Sequence, residues 1–293
     1  MTSFDTLAVA RRIIKQRKVG HCGTLDMFAT GLLILCTGAS TRLTRYFLEK
    51  DKVYEATIQL GIRTDTDDLT GNVIEQKPFS QVTKSALTEV IDKFKGEQMQ
   101  LPPLYSALKI NGRRASDLVR KGGDVDLKPR RVFIKDILLQ NYDSALGKVD
   151  LIITCSKGTY IRSLARDIGE MLGTGAHCSA LRRLSSGTFS IENAITVDEL
   201  QAIADGKEST KGFCLSPIEA LSGFNRAIIK EEALKKALNG AAFREDEVKS
   251  LEHVKGNEFI ILSEDENLIA IANIDIDKWQ IKYLNVFSST YAN

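Results

Sequence analysis

Hydrophobic and polar positions along this chain switch between two periods, and the switches mark out its elements. Thr2 and Asp5 stand at capping-box spacing ahead of Leu7, Ile13 and Ile14, which predicts a helix from Thr2 to about Lys18 that buries those three residues. The run Leu32-Leu33-Ile34-Leu35 predicts a buried strand, followed by a helix from about Ser40 to Glu49. Tyr54, Ala56, Ile58 and Leu60 then alternate with Val53, Glu55, Thr57 and Gln59, the pattern of a half-buried strand with Tyr54 on its inward face. Leu87, Val90, Ile91 and Phe94 give an amphipathic helix from Thr83 to about Lys95. Val149 to Cys155 reads as a strand closed by the turn Ser156-Lys157-Gly158, and Ile161, Leu164, Ile168 and Leu172 follow at helical spacing. Strands and helices mixed this irregularly argue against a regularly alternating doubly wound sheet. The expectation is an α+β fold with a mixed, largely antiparallel sheet and peripheral helices.

Around Ser222-Gly223-Phe224 the composition changes. A helix from Glu231 to Leu238, a stop at Gly240 and short strands at Phe259 to Leu262 and Leu268 to Ile271 predict a small β-rich domain over 224–293, beside a main domain over 1–223. A chain of 293 residues can bury a large core and hold more than one such unit. Its net charge of +2 is unevenly spread: from Glu231 onward twelve acids face seven bases, leaving about +7 on the first 230 residues. Arg11, Arg12, Lys15, Arg17 and Lys18 form one basic cluster, and Lys109, Arg113, Arg114, Arg120, Lys121, Lys128, Arg130 and Arg131 a second. Such clusters supply phosphate contacts to a nucleic acid, although a solvated face explains either one taken alone.

Cys22, Cys36, Cys155, Cys178 and Cys214 are scattered, with no Cys-x-x-Cys pair, which fits reduced thiols in a cytoplasm and argues against a disulfide framework or a zinc cluster. His177 and Cys178, as neighbours on a strand, point to opposite faces. No apolar run approaches a membrane span, and no signal-peptide pattern, phosphate loop or dinucleotide fingerprint is present. Neither a metal nor an organic cofactor is expected, and no membrane.

The chemistry concentrates in Lys18-Val19-Gly20-His21-Cys22-Gly23-Thr24-Leu25-Asp26, continuing through Met27-Phe28-Ala29-Thr30-Gly31. A single carboxylate ends a glycine-bearing loop just before a buried apolar run. Glycines let backbone approach a ligand closely, and an acid next to a strand is held on a rigid scaffold. On residue chemistry alone this is a positioned carboxylate or an aspartate capping a tight turn.

Further segments narrow the choice. They are Asp51-Lys52-Val53-Tyr54; Leu60-Gly61 with Thr64-Asp65-Thr66, Asp68 and Gly71; Gln100-Leu101-Pro102-Pro103 with Tyr105-Ser106-Ala107, Lys109 and Gly112-Arg113; Cys155 through Gly158-Thr159-Tyr160-Ile161-Arg162-Ser163-Leu164; and Leu181-Arg182-Arg183. In order, and together with Gly20 to Asp26, they resemble the motifs of the TruB-type tRNA pseudouridine synthases over most of the first two-thirds of the chain. Cys22 and Met27 depart from the family's common threonine and proline. Family members usually begin with a further strand carrying Lys-Pro-x-Gly just before Thr2-Ser3. Here the chain starts at that point, so either its start lies further upstream or that strand is missing and a sheet edge needs other cover.

The resemblance implies the pseudouridine synthase fold closed by a PUA-like domain, and isomerisation of the T-loop uridine of tRNA, position 55 in tRNA numbering. Asp26 would be the nucleophile, attacking the ribose or the base or assisting glycosidic elimination. Arg162 would pair with and aim it. Tyr54 would stack on a flipped-out uracil and take its C5 proton, while His21 would fill or stack in the vacated loop. Tyr160 and Leu181 would line the pocket, though plain core packing also explains Leu181. Arg12, Lys18, Lys109, Arg113 and Arg130 would contact RNA. A cytoplasmic enzyme acting on tRNA with no cofactor and no obligatory protein partner is expected. The alternatives are an RNA-binding folding factor with a vestigial site and a guide-RNA-dependent relative.

Overall fold

Thr2 and Asp5 close the capping box, Asp5 N–H donating to Thr2 Oγ1 at 3.1 Å and Thr2 N–H to Asp5 Oδ2 at 2.9 Å. They open helix α1 (Ser3–Ile13) in a computed structural model that describes residues 1–106, 108–110, 113–114, 118–119, 125–207 and 213–287. Short strands β1 (Val19–His21), β2 (Thr30–Gly31) and β3 (Leu35–Thr37) precede a 3-10 turn and helix α2 (Thr44–Leu48). Strand β4 (Lys52–Leu60), the hairpin β5 (Ile62–Thr64) and β6 (Val73–Gln76), helix α3 (Lys84–Lys93) and β7 (Gly96–Gln100) follow. After β8 (Lys109–Ile110) and β9 (Arg113–Arg114) come the long strands β10 (Arg130–Asp143) and β11 (Lys148–Cys155). Helix α4 (Ile161–Met171), β12 (Ala176–Ser186), β13 (Phe189–Ser190) and helices α5 (Val197–Ala204) and α6 (Pro217–Ala220) complete this part. The remainder is β14 (Asn225–Ile229), α7 (Glu231–Leu238), β15 (Val248–Glu252), β16 (Glu258–Leu262), β17 (Leu268–Asp275) and β18 (Gln280–Val286).

Contacts divide the chain into two compact units. The first comprises Met1–Thr6, His21–Ile34 and Arg45–Ala194; the second comprises Leu7–Gly20, Leu35–Thr44 and Ile195–Asn293. In the first, a sheet runs in the order β13-β12-β4-β11-β10-β7 with β2 added in parallel to β12, every other pairing being antiparallel. Ala56, Ile58 and Leu60 of β4 and Leu151 and Ile153 of β11 are buried against Leu87 and Ile91 of α3 and Leu164 and Ile168 of α4. Tyr54 is half-buried and packs on the same core, on the face the alternation predicted. In the second unit the order is β15-β14-β16-β17-β18, with β14 and β16 parallel, and Ala233 and Ala237 of α7 share a core with Phe259, Ile261 and Ala270.

Three local expectations are corrected. α1 stops at Ile13 rather than near Lys18, because Lys15 adopts a left-handed conformation (φ 52°) and closes a Schellman-type end: Gln16 N–H donates to the Arg11 carbonyl and Lys15 N–H to that of Arg12. Ile14, beyond that stop, is exposed. Leu32 to Leu35 is not one strand, since its two ends serve different partners: Leu32 N–H donates to the Arg183 carbonyl, and the Ile34 carbonyl accepts from Cys22 N–H. The helix expected from Ser40 begins as a 3-10 turn over Gly38–Leu43 and becomes α-helical only at Thr44.

Gly31 makes the β2–β12 contact possible. Its φ is +101°, and a Cβ there would lie 2.3 Å from the Arg183 carbonyl oxygen, a backbone atom that cannot swing aside. Gly158 also has positive φ, +78°, but open space around it. Gly158→Ala is therefore expected to destabilise by only about 1–2 kcal/mol. Gly31→Ala adds overpacking of about 1–3 kcal/mol on top of a similar backbone strain. Urea denaturation of the two variants side by side checks this order.

Candidate active site

Asp26 is held by its loop before its side chain is considered. Leu25 N–H donates to Ser3 Oγ at 2.8 Å, Ala29 N–H to the Asp26 carbonyl at 3.0 Å, and Cys22 N–H to the Ile34 carbonyl at 2.9 Å. The carboxylate then meets Arg162 in a two-pronged pair: Nε donates to Oδ2 at 2.9 Å and Nη2 to Oδ1 at 2.8 Å. Arg162 lies in the first turn of α4, its side chain 5 % exposed, whereas that of Asp26 is 34 % exposed. The guanidinium is thus the wall behind a carboxylate that faces open space.

All five Arg162 N–H groups find acceptors. Besides Asp26, Nη1 donates to the Thr66 carbonyl (3.0 Å) and Asp68 Oδ2 (3.2 Å), and Nη2 to the Tyr105 carbonyl (3.1 Å). Asp68 is itself fixed, its Oδ1 accepting from Thr66 Oγ1, Thr70 N–H and Thr70 Oγ1 at 2.6–2.9 Å. One turn along α4, Arg166 pairs with Asp67 at 3.0 Å and donates to the Leu101 carbonyl, which Ser163 Oγ also reaches. Burial holds the Asp67 carboxyl above its ordinary value, with Arg166 pulling it back. Two consecutive turns of one helix therefore clamp the 66–70 loop, the 101–105 loop and Asp26.

Tyr54 enters from β4. Its phenol is raised above the ordinary value by burial; the Arg183 guanidinium opposes this, and the Asp26 carboxylate adds to it. His21 is lowered, first by burial and then by Arg183, so its imidazole stays neutral at physiological pH; its Nδ1 is buried with no hydrogen-bond partner among the described residues. Tyr160 caps α4, its N–H and carbonyl both held by the Gln100 side chain at 2.8 and 3.0 Å. Leu181 is buried in the core opposite Ala56. Arg130 is exposed at the start of β10, and Arg12 and Lys18 are exposed in the second unit. Lys109 and Arg113 lie on paired strands, but their side chains fall outside the described residues, as do Ala107, Gly112, Arg120 and Lys121 entirely. Among the described residues no group of three or more His, Cys, Asp or Glu side chains is gathered as a metal ion would need.

The model of the TruB family pseudouridylate synthase N-terminal domain matches residues 11–161, and that of the tRNA pseudouridylate synthase B C-terminal domain matches 162–222. The chain belongs to the TruB family. The tRNA pseudouridine synthase B of Clostridioides difficile (strain 630) is 38% identical over 276 residues, spanning 94% of this chain and 91% of that one. That of Bacillus subtilis (strain 168) is 39% identical over 276 residues, 92% of this chain and 88% of the other. Among solved structures, a Cbf5-Nop10-Gar1 complex matches with TM-score 0.73 and 26% identity over 98% of this chain and 81% of that one. An H/ACA RNP bound to a substrate RNA containing 2'-deoxyuridine matches with TM-score 0.72 at 24% identity, covering 98% and 82%. The α+β architecture is that of the pseudouridine synthases.

Asp68, Arg166 and Arg183 of this TruB chain were not among the site residues expected from sequence. Asp68 and Arg183 stood inside quoted motifs, yet nothing in their spacing showed that each would be buried against the Asp26 loop or its arginine. Arg166 carried a usable signal, being four residues after Arg162 and hence on the same face of α4.

Arg162→Met is expected to lower stability by about 3–5 kcal/mol, because Asp26 and the buried Asp68 both lose their cation. Adding Asp68→Asn to Arg162→Met should recover part of that loss by removing the stranded charge. Arg162→Lys should recover less than the wild-type value, since an ammonium cannot serve five acceptors in a plane. Equilibrium denaturation of these variants tests all three.

Proposed function

We propose that this protein converts uridine to pseudouridine in tRNA, acting on the T-loop uridine at position 55, with Asp26 as nucleophile. The observation that carries the reading is the Asp26–Arg162 pair: a half-exposed carboxylate backed by a saturated, buried guanidinium, in a chain of the TruB family. The reaction breaks the bond from C1′ to N1, turns the uracil and joins C1′ to C5. It needs no redox change and no phosphoryl donor, so a positioned carboxylate suffices. Asp26 attacks the ribose or the base, or assists elimination, and Arg162 keeps it aimed throughout.

A base reaches this carboxylate only by leaving its stack, so the target nucleotide is flipped. Tyr54 stacks on the uracil, and its hydroxyl takes the C5 proton after the new bond has formed. Neutral His21 occupies the space the base leaves, and Tyr160 and Leu181 supply apolar lining. Arg12, Lys18, Lys109, Arg113 and Arg130 are assigned to phosphate contacts, which position the RNA and make binding salt-dependent. The five-stranded sheet after Asn225 is read as the PUA-like domain, in a cytoplasmic enzyme that works without an obligatory protein partner.

Purified protein alone should convert an unmodified tRNA transcript, and mapping of pseudouridine should place the product in the T-loop. If conversion needed a guide RNA or added proteins, the stand-alone reading would be wrong. Asp26→Asn should abolish turnover while tRNA affinity stays within a few fold, because phosphate contacts supply most of it. A substantial rate in that variant would remove Asp26 as nucleophile. Tyr54→Phe should bind normally yet release product slowly, and Tyr54→Leu should be worse by a stacking contact of roughly 1–3 kcal/mol; single-turnover kinetics separate the two.

A further inference from the structure

Arg183 has no task in the mechanism above, yet it is among the most completely buried large side chains of the protein, 1 % exposed. Its hydrogen bonds to the backbone go to neutral acceptors: Nε donates to the Leu32 carbonyl at 2.8 Å and Nη2 to the Gly23 carbonyl at 3.2 Å. A guanidinium taken out of water normally rests against a carboxylate. Arg183 forms no such ion pair among the described residues. What it faces instead is Tyr54. The β12–β4 register sets Arg183 directly opposite Tyr54, so the two side chains leave the same face of adjacent strands. The guanidinium is close enough to the phenol to draw its ionisation back down against the effect of burial. The carbonyls that Arg183 grips, Gly23 and Leu32, bracket Asp26 in sequence.

We propose that Arg183 is a positioning residue for the proton-removal step, holding the Tyr54 oxygen beside the Asp26 loop and supplying the positive charge opposite a Tyr54 phenolate. This rests on the functional reading above. Once C1′ is joined to C5, that carbon still carries its hydrogen. The Tyr54 phenolic proton passes to N1, the phenolate so formed takes the C5 proton, the C5–H electron pair closes the C5=C6 double bond, and the C6=N1 electron pair returns to N1. No proton is gained or lost overall, and the phenol is regenerated. During the step the tyrosine oxygen bears negative charge in a buried site, where desolvation and the nearby Asp26 carboxylate both oppose it. Arg183 is the cation set opposite Tyr54 by the strand register. Lys52, also buried on β4, is occupied elsewhere, its ammonium donating to the Leu48 and Lys50 carbonyls.

The test uses the full-length protein with Arg183→Lys, Arg183→Gln, Tyr54→Phe and the double variant Arg183→Lys/Tyr54→Phe. Single-turnover conversion is followed on tRNA carrying C5-deuterated uridine, and the Tyr54 phenol is titrated by NMR with ring-labelled tyrosine. Arg183→Lys should slow the proton-removal step by about 10–100-fold, less than the roughly 10²–10⁴-fold that a positioned acid–base group itself contributes, because the charge is kept. The C5 isotope effect should rise, and tRNA binding should hold. The Tyr54 titration should move upward in both Arg183 variants, which a merely structural role for Arg183 would not produce. In the Tyr54→Phe background the same lysine substitution should change the rate by less than about twofold, since the two residues act as one unit.

Equal slowing by Arg183→Lys in wild-type and Tyr54→Phe backgrounds overturns the proposal, as does a Tyr54 titration that stays in place. Should Arg183→Gln fail to fold, the charge-retaining Arg183→Lys and its titration still decide the matter. A wild-type protein that leaves tRNA uridine unconverted overturns the functional reading itself, and with it the catalytic part of this one. An active wild type with unaffected Arg183 variants overturns the proposal alone.

Discussion

One guanidinium organises this protein's candidate site. Arg162 presents five N–H groups in a fixed plane, and each is taken: two by Asp26, one by Asp68, and one each by the Thr66 and Tyr105 carbonyls. These acceptors come from three separate stretches of chain that share no strand pairing with one another among the described residues. The helix that carries Arg162 is in turn seated on the sheet by Leu164 and Ile168. Position therefore passes from the core to the helix, from the helix to the guanidinium, and from the guanidinium to the carboxylate. A lysine in the same place would hold one or two of these acceptors and release the rest.

The neighbouring charges show that such clamps are not chiefly a source of stability. Burial raises the Asp67 and Asp167 carboxyls despite the adjacent Arg166. For an acid the sign follows directly: a raised folded-state value favours the protonated form, so the stabilising contribution is present in strong acid and is lost as pH rises through the raised value. At neutral pH both carboxylates are thus held at some expense to folding. What the pairs provide is geometry. Arg166 and Ser163 both donate to the Leu101 carbonyl, which fixes the loop leading to Tyr105 and so to Arg162.

Periodicity made the framework of the first unit legible. The alternation over 53–60 became β4 with the expected face buried, and Thr83 caps α3 where the amphipathic pattern began. It failed where an element's end depends on partners far away in sequence. Leu32 to Leu35 is apolar enough for a strand, but its hydrogen bonds are divided between Arg183 and Cys22. Likewise Lys15 ends α1 in a conformation that usually selects glycine, so no residue-type signal marked the stop. The Asp26–Arg162 pairing, 136 residues apart, was readable only through motif resemblance, because nothing local links the two positions. Arg183 was hard to read: it carried no expected role, although on a strand it falls two residues after Leu181 and so on the same buried face.

That inward turn also explains why the site tolerates a half-exposed carboxylate. Asp26 sits on a loop, and loops are ordinarily the mobile parts of a site. This loop, however, is gripped on both sides by backbone and side-chain bonds from β12, by Ser3 from below and by Arg162 from behind. Tyr54 and Arg183 stand on paired strands, where spacing is set by the sheet rather than by side-chain choice. A reaction that turns a base through a large angle between two bonds needs fixed groups around a moving one. The candidate carboxylate stands on a loop for access, while Ser3, Arg162 and Arg183, which hold that loop, stand on helices and a strand.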